Sequence, residues 1–240
     1  MTRRRWIADR SAGNRAWLTG SHAEHLARVL RAKPGQKFDI SLEGVVREGT
    51  VVSVSPEEVE FELGMTIEPA LLPEISVLLS IYKFDRLEWA IEKLTELGVA
   101  AIFPVVSRRT EPHLGKAAEK RVERWRKIAL EAAQQSRRAR PPEIFGPAAL
   151  KKAIADAKGC GIVLNEIEAE EAAPLKSVLR ECRPPIWLAL GPEGGWSREE
   201  IELFRQNGWK TASLGSTILR AETAAIAAVA IALSELALVW

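Results

Sequence analysis

The residues of this chain best suited to chemistry fall in two short stretches toward its C-terminal end. The first, Gly191-Pro192-Glu193-Gly194-Gly195-Trp196-Ser197-Arg198-Glu199-Glu200, leaves the apolar run Ile186-Trp187-Leu188-Ala189-Leu190, which is short and dense enough to be a buried strand. Gly191, Gly194 and Gly195 around Pro192 let the main chain turn sharply and approach a ligand with no side chain in the way. Ser197 with Glu200 forms a capping box, so a helix starts there. The second stretch, Leu214-Gly215-Ser216-Thr217-Ile218-Leu219-Arg220-Ala221-Glu222-Thr223-Ala224, adds another glycine-bearing loop carrying a guanidinium and a carboxylate. Strand, glycine turn and helix start together make a ligand-binding edge. The pattern is not a nucleotide fingerprint: G-x-G-x-x-G and G-x-x-x-x-G-K-[ST] are both absent, and no carboxylate stands about twenty residues after Gly191 to take a ribose.

These loops need a scaffold, and the chain divides in two near residues 68–74, where Pro69 and Pro73 interrupt any ladder. Before that point alternation dominates, in Lys37–Leu42, Gly49–Val54 and Val59–Leu63, separated by turns with Gly44, Pro56 and Gly64. Short alternating strands predict a small barrel or sandwich, with one helical interruption over 21–31. After it, strands and helices take turns. Ile75–Tyr82, Ala101–Val106, Ile162–Leu164, Ile186–Leu190 and Thr211–Leu214 read as strands. Leu87, Ala90, Ile91, Leu94 and Leu97 recur at helical spacing up to a C-capping Gly98, and Val122, Trp125, Ile128, Ala129 and Ala132 make a second apolar stripe. Such alternation predicts a mostly parallel sheet flanked by helices. The expected division is 1–70 and 71–240.

With 47% hydrophobic residues over 240, the chain can bury a substantial core. Its formal charge is only +2, but cations cluster at Arg3, Arg4, Arg5 and Arg10, again at Arg28, Arg31, Lys33 and Lys37, and from Arg121 through Arg124 to Arg137, Arg138 and Arg140. Local clusters rather than net charge decide whether phosphates find a docking surface, so nucleic acid is the expected partner. Cys160 and Cys182 form no C-x-x-C and are expected as small core residues in a reducing cytosol. His22 and His25 lack further ligands of suitable spacing, so no metal is expected. No apolar leader follows the N-terminal arginines, and the run from Ala224 to Trp240 is broken by Ser234 and Glu235, so it reads as a buried or interface helix rather than a membrane span.

GPEGG-[aromatic]-S-x-x-E followed by LG-x-x-ILR-x-ETA resembles the paired signature of the RsmE family, SPOUT-class methyltransferases acting on N3 of a uridine in 16S ribosomal RNA. The resemblance runs nearly the full length, through His25–Arg31 with Gly35, Lys83 to Val99, Pro104, Arg124-Trp125, and Glu131–Ser136 with Arg138 and Pro141. Trp196 stands where the family usually has Phe, and Lys83-Phe84-Asp85-Arg86 departs from a more usual small-residue pattern. The resemblance implies a PUA-like N-terminal barrel that helps hold RNA and a deep trefoil knot in the C-terminal domain. It also implies S-adenosylmethionine lying in that knot, the adenine among Leu190, Leu214, Ile218 and Leu219, polar atoms on the backbone near Gly191, Gly194, Gly195 and Gly215, and Leu164-Asn165-Glu166 as the third wall. RNA contacts are expected from Arg4, Arg5, Arg28, Arg31, Arg124, Arg137 and Arg138.

Uridine N3 is nucleophilic only as its proton leaves, so catalysis needs an in-line methyl donor, a proton acceptor or relay, and donors for charge developing on O2 or O4. Arg220 suits the last role, because its guanidinium stays charged and offers a fork of donors. Glu193 either accepts the proton, directly or through water, or orients Arg220; an internal ion pair bracing the knot is the alternative for both. Glu222 is expected as a structural partner at the start of the last helix, and Thr223 bonds locally or at the cofactor. Two other functions remain open at this level: a non-catalytic ribosome-assembly RNA binder, against which the intact glycine loop argues, and a ribose 2′-O methyltransferase of the same class. The apolar last helix predicts a homodimer paired through the knotted domain.

Overall fold

The computed structural model describes residues 5–67, 72–165 and 172–237, so Arg4, Glu166 and most of the linker around Pro69 lie outside the described residues. Two compact units emerge. One joins the chain up to residue 71 with Ala133–Pro141, and the other comprises Leu72–Ala132 and Pro142–Trp240.

The first unit is built from β1 (Arg5–Ile7), β2 (Arg10–Ala12), β3 (Arg15–Thr19), α1 (Gly20–Glu24) continued by a π-helical turn over His25–Val29, β4 (Lys37–Leu42), β5 (Val45–Val54) and β6 (Glu58–Ile67). Its six-stranded sheet runs β1-β4-β5-β6-β3-β2, parallel between β1 and β4 and antiparallel elsewhere. The alternating residues do what their period demands: Leu18, Ile40, Val51, Val59, Phe61 and Leu63 point into one core, closed by Leu26. The sheet is curled, and β5 carries Gly49 opposite Phe38, where a Cβ would stand 2.3 Å from Ile40 Cγ1. Residues 133–141, which begin in the last turn of a helix that otherwise belongs to the second unit, complete this unit. The Arg5 guanidinium donates to the Arg137 carbonyl and faces Asp39 at 3.7 Å, and the Ser41 hydroxyl donates to the Ala139 carbonyl.

The second unit contains β7 (Ile75–Ser80), α2 (Phe84–Leu97), β8 (Ala101–Val106), α3 (Pro112–Ala118), α4 (Val122–Gln135), β9 (Glu143–Ile144), β10 (Ala148–Ala149), α5 (Leu150–Asp156), β11 (Cys160–Leu164), α6 (Leu175–Leu179), β12 (Ile186–Leu190), α7 (Arg198–Gln206), β13 (Lys210–Ala212) and α8 (Ala221–Ala237). Its strands run β10-β8-β7-β12-β11-β13, with β9 on β8, and every pairing is parallel. Strands covered on both faces read as unbroken apolar runs, and β7 and β12 are buried at every position. Gly98 ends α2 in the left-handed conformation (φ +98°), as its place after the apolar stripe predicts. The last helix, α8, packs on α2, α6 and β12. It buries Ala225, Ala228, Val229, Ala232 and Leu236 in its own core and leaves Ile226, Ile231 and Leu233 half-buried. Among the described residues no helix is long and apolar enough to cross a membrane.

The cysteines differ from expectation. Cys160, opening β11, and Cys182, just after α6, both pack in the core but are joined by a disulfide, with Cα atoms 5.8 Å apart. Partners 22 residues apart leave no spacing signature; the fold brings them together.

Candidate active site

The chain leaves β12 at Gly191 into a turn closed by the Gly195 N–H donating to the Pro192 carbonyl at 2.8 Å. Gly195 sits at φ +70°, where a side chain is strained, and a Cβ at Gly194 would come within 3.2 Å of Arg109 Cδ. Below the turn, Trp196 is fully buried edge-on against Phe204, which in turn meets Trp209. The capping box forms as read: Ser197 Oγ accepts from the Glu200 N–H at 3.3 Å, and Glu200 Oε2 accepts from the Ser197 N–H at 2.8 Å. Buried Glu200 also accepts the Arg108 N–H at 2.7 Å, so one carboxylate ties the start of α7 to the loop after β8.

The second loop leaves β13 through Ser213, whose hydroxyl accepts the Gly215 N–H at 3.0 Å, passes Gly215 at φ +121°, and enters α8 at Ala221. The third wall is the end of β11, where the Asn165 N–H donates to the Ala212 carbonyl at 3.1 Å. Together they line one cleft, part of it open to solvent. Leu164, Asn165, Leu190, Gly191, Glu193, Gly194, Gly195, Leu214, Gly215, Ile218 and Leu219 all line it, with Ile218 83% exposed at the lip. Arg220 and Thr223 are exposed and do not line it; Arg220 forms no ion pair among the described residues. Sequence reasoning missed Pro192, Trp196, Ser213, Ser216, Thr217, Ala221 and Ala224 as lining residues, although all but Ser213 lie inside the two motifs.

Two cations unforeseen from the sequence hold the glycine loop. The Arg86 guanidinium, in the first turn of α2, pairs with the Glu193 carboxylate, so the partner of Glu193 is Arg86 rather than Arg220. Arg86 Nε also lies 3.9 Å from Glu222 Oε1 in the first turn of α8. From the other side the Arg109 guanidinium donates to the Gly194 carbonyl. Beside this cluster the Tyr82 hydroxyl is pushed far above the usual phenol range, by burial first and then by the charges of Glu222 and Glu193. Tyr82 therefore stays protonated at any physiological pH and is no base. Among the described residues no group of His, Cys, Asp or Glu suits a metal ion.

The arginines assigned to RNA divide. Arg5 is engaged within the first unit, its side chain only 13% exposed, and both carboxylate oxygens of Glu88 accept from Arg124 Nε at 2.8 and 2.9 Å. Arg28 and Arg31 are exposed on either side of Val29, itself 65% exposed, and Arg28 makes a surface pair with Glu24. Arg137 is exposed, whereas Arg138 is half-buried and its pKa is lowered to about 10 by burial and by the charge of Arg140.

Residues 70–233 match the family model of an RNA methyltransferase domain, and residues 18–64 that of an RNA methyltransferase PUA domain. Ribosomal RNA small subunit methyltransferase E of Bacillus subtilis is 32% identical over 86% of this chain and 85% of its own length. The Aquifex aeolicus protein of that name is 29% identical over 94% and 97%. A crystal structure of the Neisseria gonorrhoeae methyltransferase E, bound to S-adenosyl methionine, superposes with a TM-score of 0.84 at 26% identity, covering 95% of this chain and 96% of the other. With its two-loop cleft, parallel sheet and N-terminal PUA domain, this chain belongs to the ribosomal RNA small subunit methyltransferase E family of RNA methyltransferases.

Proposed function

We propose that the chain transfers a methyl group from S-adenosylmethionine to N3 of a uridine in 16S ribosomal RNA. The observation that carries this reading is the cleft itself. It sets apolar walls at Leu190, Leu214, Ile218 and Leu219 beside bare backbone at Gly194, Gly195 and Gly215. Those donor and wall types suit an adenine ring and the polar atoms of a methionine-bearing nucleoside. The bound cofactor supplies an electrophilic sulfonium methyl group.

The chain's own residues then have separable tasks. The two loops bind and orient the donor, and Trp196 with the aromatic layer beneath keeps water from that side of the cleft. Glu193, held by the Arg86 guanidinium, orients the loop. Arg220, exposed beside the cleft, is the donor fork for charge developing on the uracil carbonyls. Mass spectrometry of rRNA nucleosides from cells with and without the gene tests the reading: loss of one N3-methyluridine supports it. Loss of a 2′-O-methylated nucleoside, or no change, overturns it.

RNA binding is assigned to the PUA unit and the arginines near its surface, with Arg28 and Arg31 the best placed. Charge reversal of both is expected to flatten the slope of log affinity against log salt by about 2, with cofactor affinity unchanged. An unaltered slope in filter-binding titrations makes them a solvated face. The deep trefoil knot and a homodimer through the knotted domain belong to the same reading. They are supported by the entry of β12 between β7 and β11 and by half-buried Ile226, Ile231 and Leu233 on α8. Light scattering at micromolar concentration is expected to give twice the mass of the 240-residue chain. The site of action is the cytoplasm, where the ribosomal substrate is.

A further inference from the structure

We propose that Arg86 is a positioning residue for the glycine loop: it holds the Glu193 carboxylate against the first turn of α8 and so fixes the backbone that receives the cofactor. The proposal rests on the assignment of the two-loop cleft to S-adenosylmethionine.

Four elements meet at this point. Tyr82 follows β7, Arg86 opens α2, Glu193 stands in the turn after β12, and Glu222 opens α8. Arg86 is the cation between two carboxylates, in contact with Glu193 and 3.9 Å from Glu222. Glu222 is 5% exposed, and its Oε2, like the Tyr82 hydroxyl, is buried with no hydrogen-bond partner among the described residues. A buried carboxylate oxygen and a buried hydroxyl thus lack partners here, and among the described residues Arg86 is the cation placed beside both carboxylates. An exposed ion pair contributes little to folding. This one is different in its consequence, because Glu193 stands between the end of β12 and the cap at Ser197, in a turn whose glycines set no preferred conformation of their own. A side-chain anchor at Glu193, opposite the Arg109 contact to the Gly194 carbonyl, selects one backbone arrangement and removes an ordering cost from ligand binding.

If Arg86 acts through Glu193, their effects on cofactor binding are not additive. Calorimetric titration of S-adenosylmethionine into R86M, E193Q and R86M/E193Q is expected to show a loss of about tenfold in each of the three, with R86K recovering most of it. A double variant about a hundredfold weaker than wild type, or single variants binding like wild type, overturns the proposal. Because R86M leaves the buried Glu222 without its cation, the same comparison is made with E222Q added, where the buried group is neutral, and the unfolding midpoint of each variant is measured alongside. Additive losses in a chain whose wild type binds the cofactor remove Arg86 and leave the cleft assignment standing. A wild type that binds none overturns both.

Discussion

Gly195→Val is expected to abolish S-adenosylmethionine binding at concentrations that saturate the wild-type chain while leaving the fold in place. Gly195 sits at φ +70°, and a Cβ there meets nothing closer than Arg109 Nη1 at 3.9 Å, so crowding is not the cause. A β-branched residue in the left-handed region costs about 1–2 kcal/mol, which the turn escapes by changing its backbone. Any such change moves the N–H and carbonyl groups to which the proposed site assigns the cofactor's polar atoms, and the valine side chain adds bulk at a cleft wall. Gly208→Val is the matched control. Gly208 has φ +75°, open space around it and no place in the cleft, lying in the turn between α7 and β13. It should lower the unfolding midpoint by as much as Gly195→Val and leave calorimetric affinity unchanged. Equal affinity losses in the two variants would falsify a direct role for the glycine turn.

Arg220→Lys keeps the charge and loses the planar fork. The expected result is a fall in kcat of about 100-fold, the scale of losing one donor to a developing anion, with cofactor affinity within about threefold of wild type. The exposure of Arg220 and its place outside the cleft lining make this separation sharp, since a residue outside the walls of the cleft has little to contribute to holding what binds there. Parallel losses in kcat and cofactor affinity, measured by single-turnover kinetics and calorimetry, would reassign Arg220 to binding.

What was legible in the sequence is what local rules govern. Ser197 and Glu200 cap α7 because three-residue spacing suffices, Gly98 ends α2 because only a residue tolerant of positive φ does so cheaply, and β12 reads as an apolar run because both faces are covered. What was not legible depends on residues distant in the chain. Arg86 and Arg109 reach the glycine loop across 107 and 85 residues, and no spacing in a single sequence marks them as its partners. Cys160 and Cys182 escaped for the same reason. Arg5 shows the complementary limit: a run of arginines reveals charge but not exposure, and this one is spent on Asp39 and the Arg137 carbonyl.

The last of these contacts bears on how the protein is made. Arg5 and Ser41 are satisfied by carbonyls of Arg137 and Ala139, so the N-terminal unit is not contiguous in the chain. A ribosome that has released only the first seventy or so residues presents a curled sheet whose β1 and β4 still lack that strap. The unit is finished only after residue 141 emerges, by which time much of the second unit, from Leu72 to Ala132, is already outside. Domains that fold during synthesis ordinarily do so one after the other. Here the first must wait for part of the second, and a fragment ending at the linker should emerge with its strap-facing edge bare and prone to association.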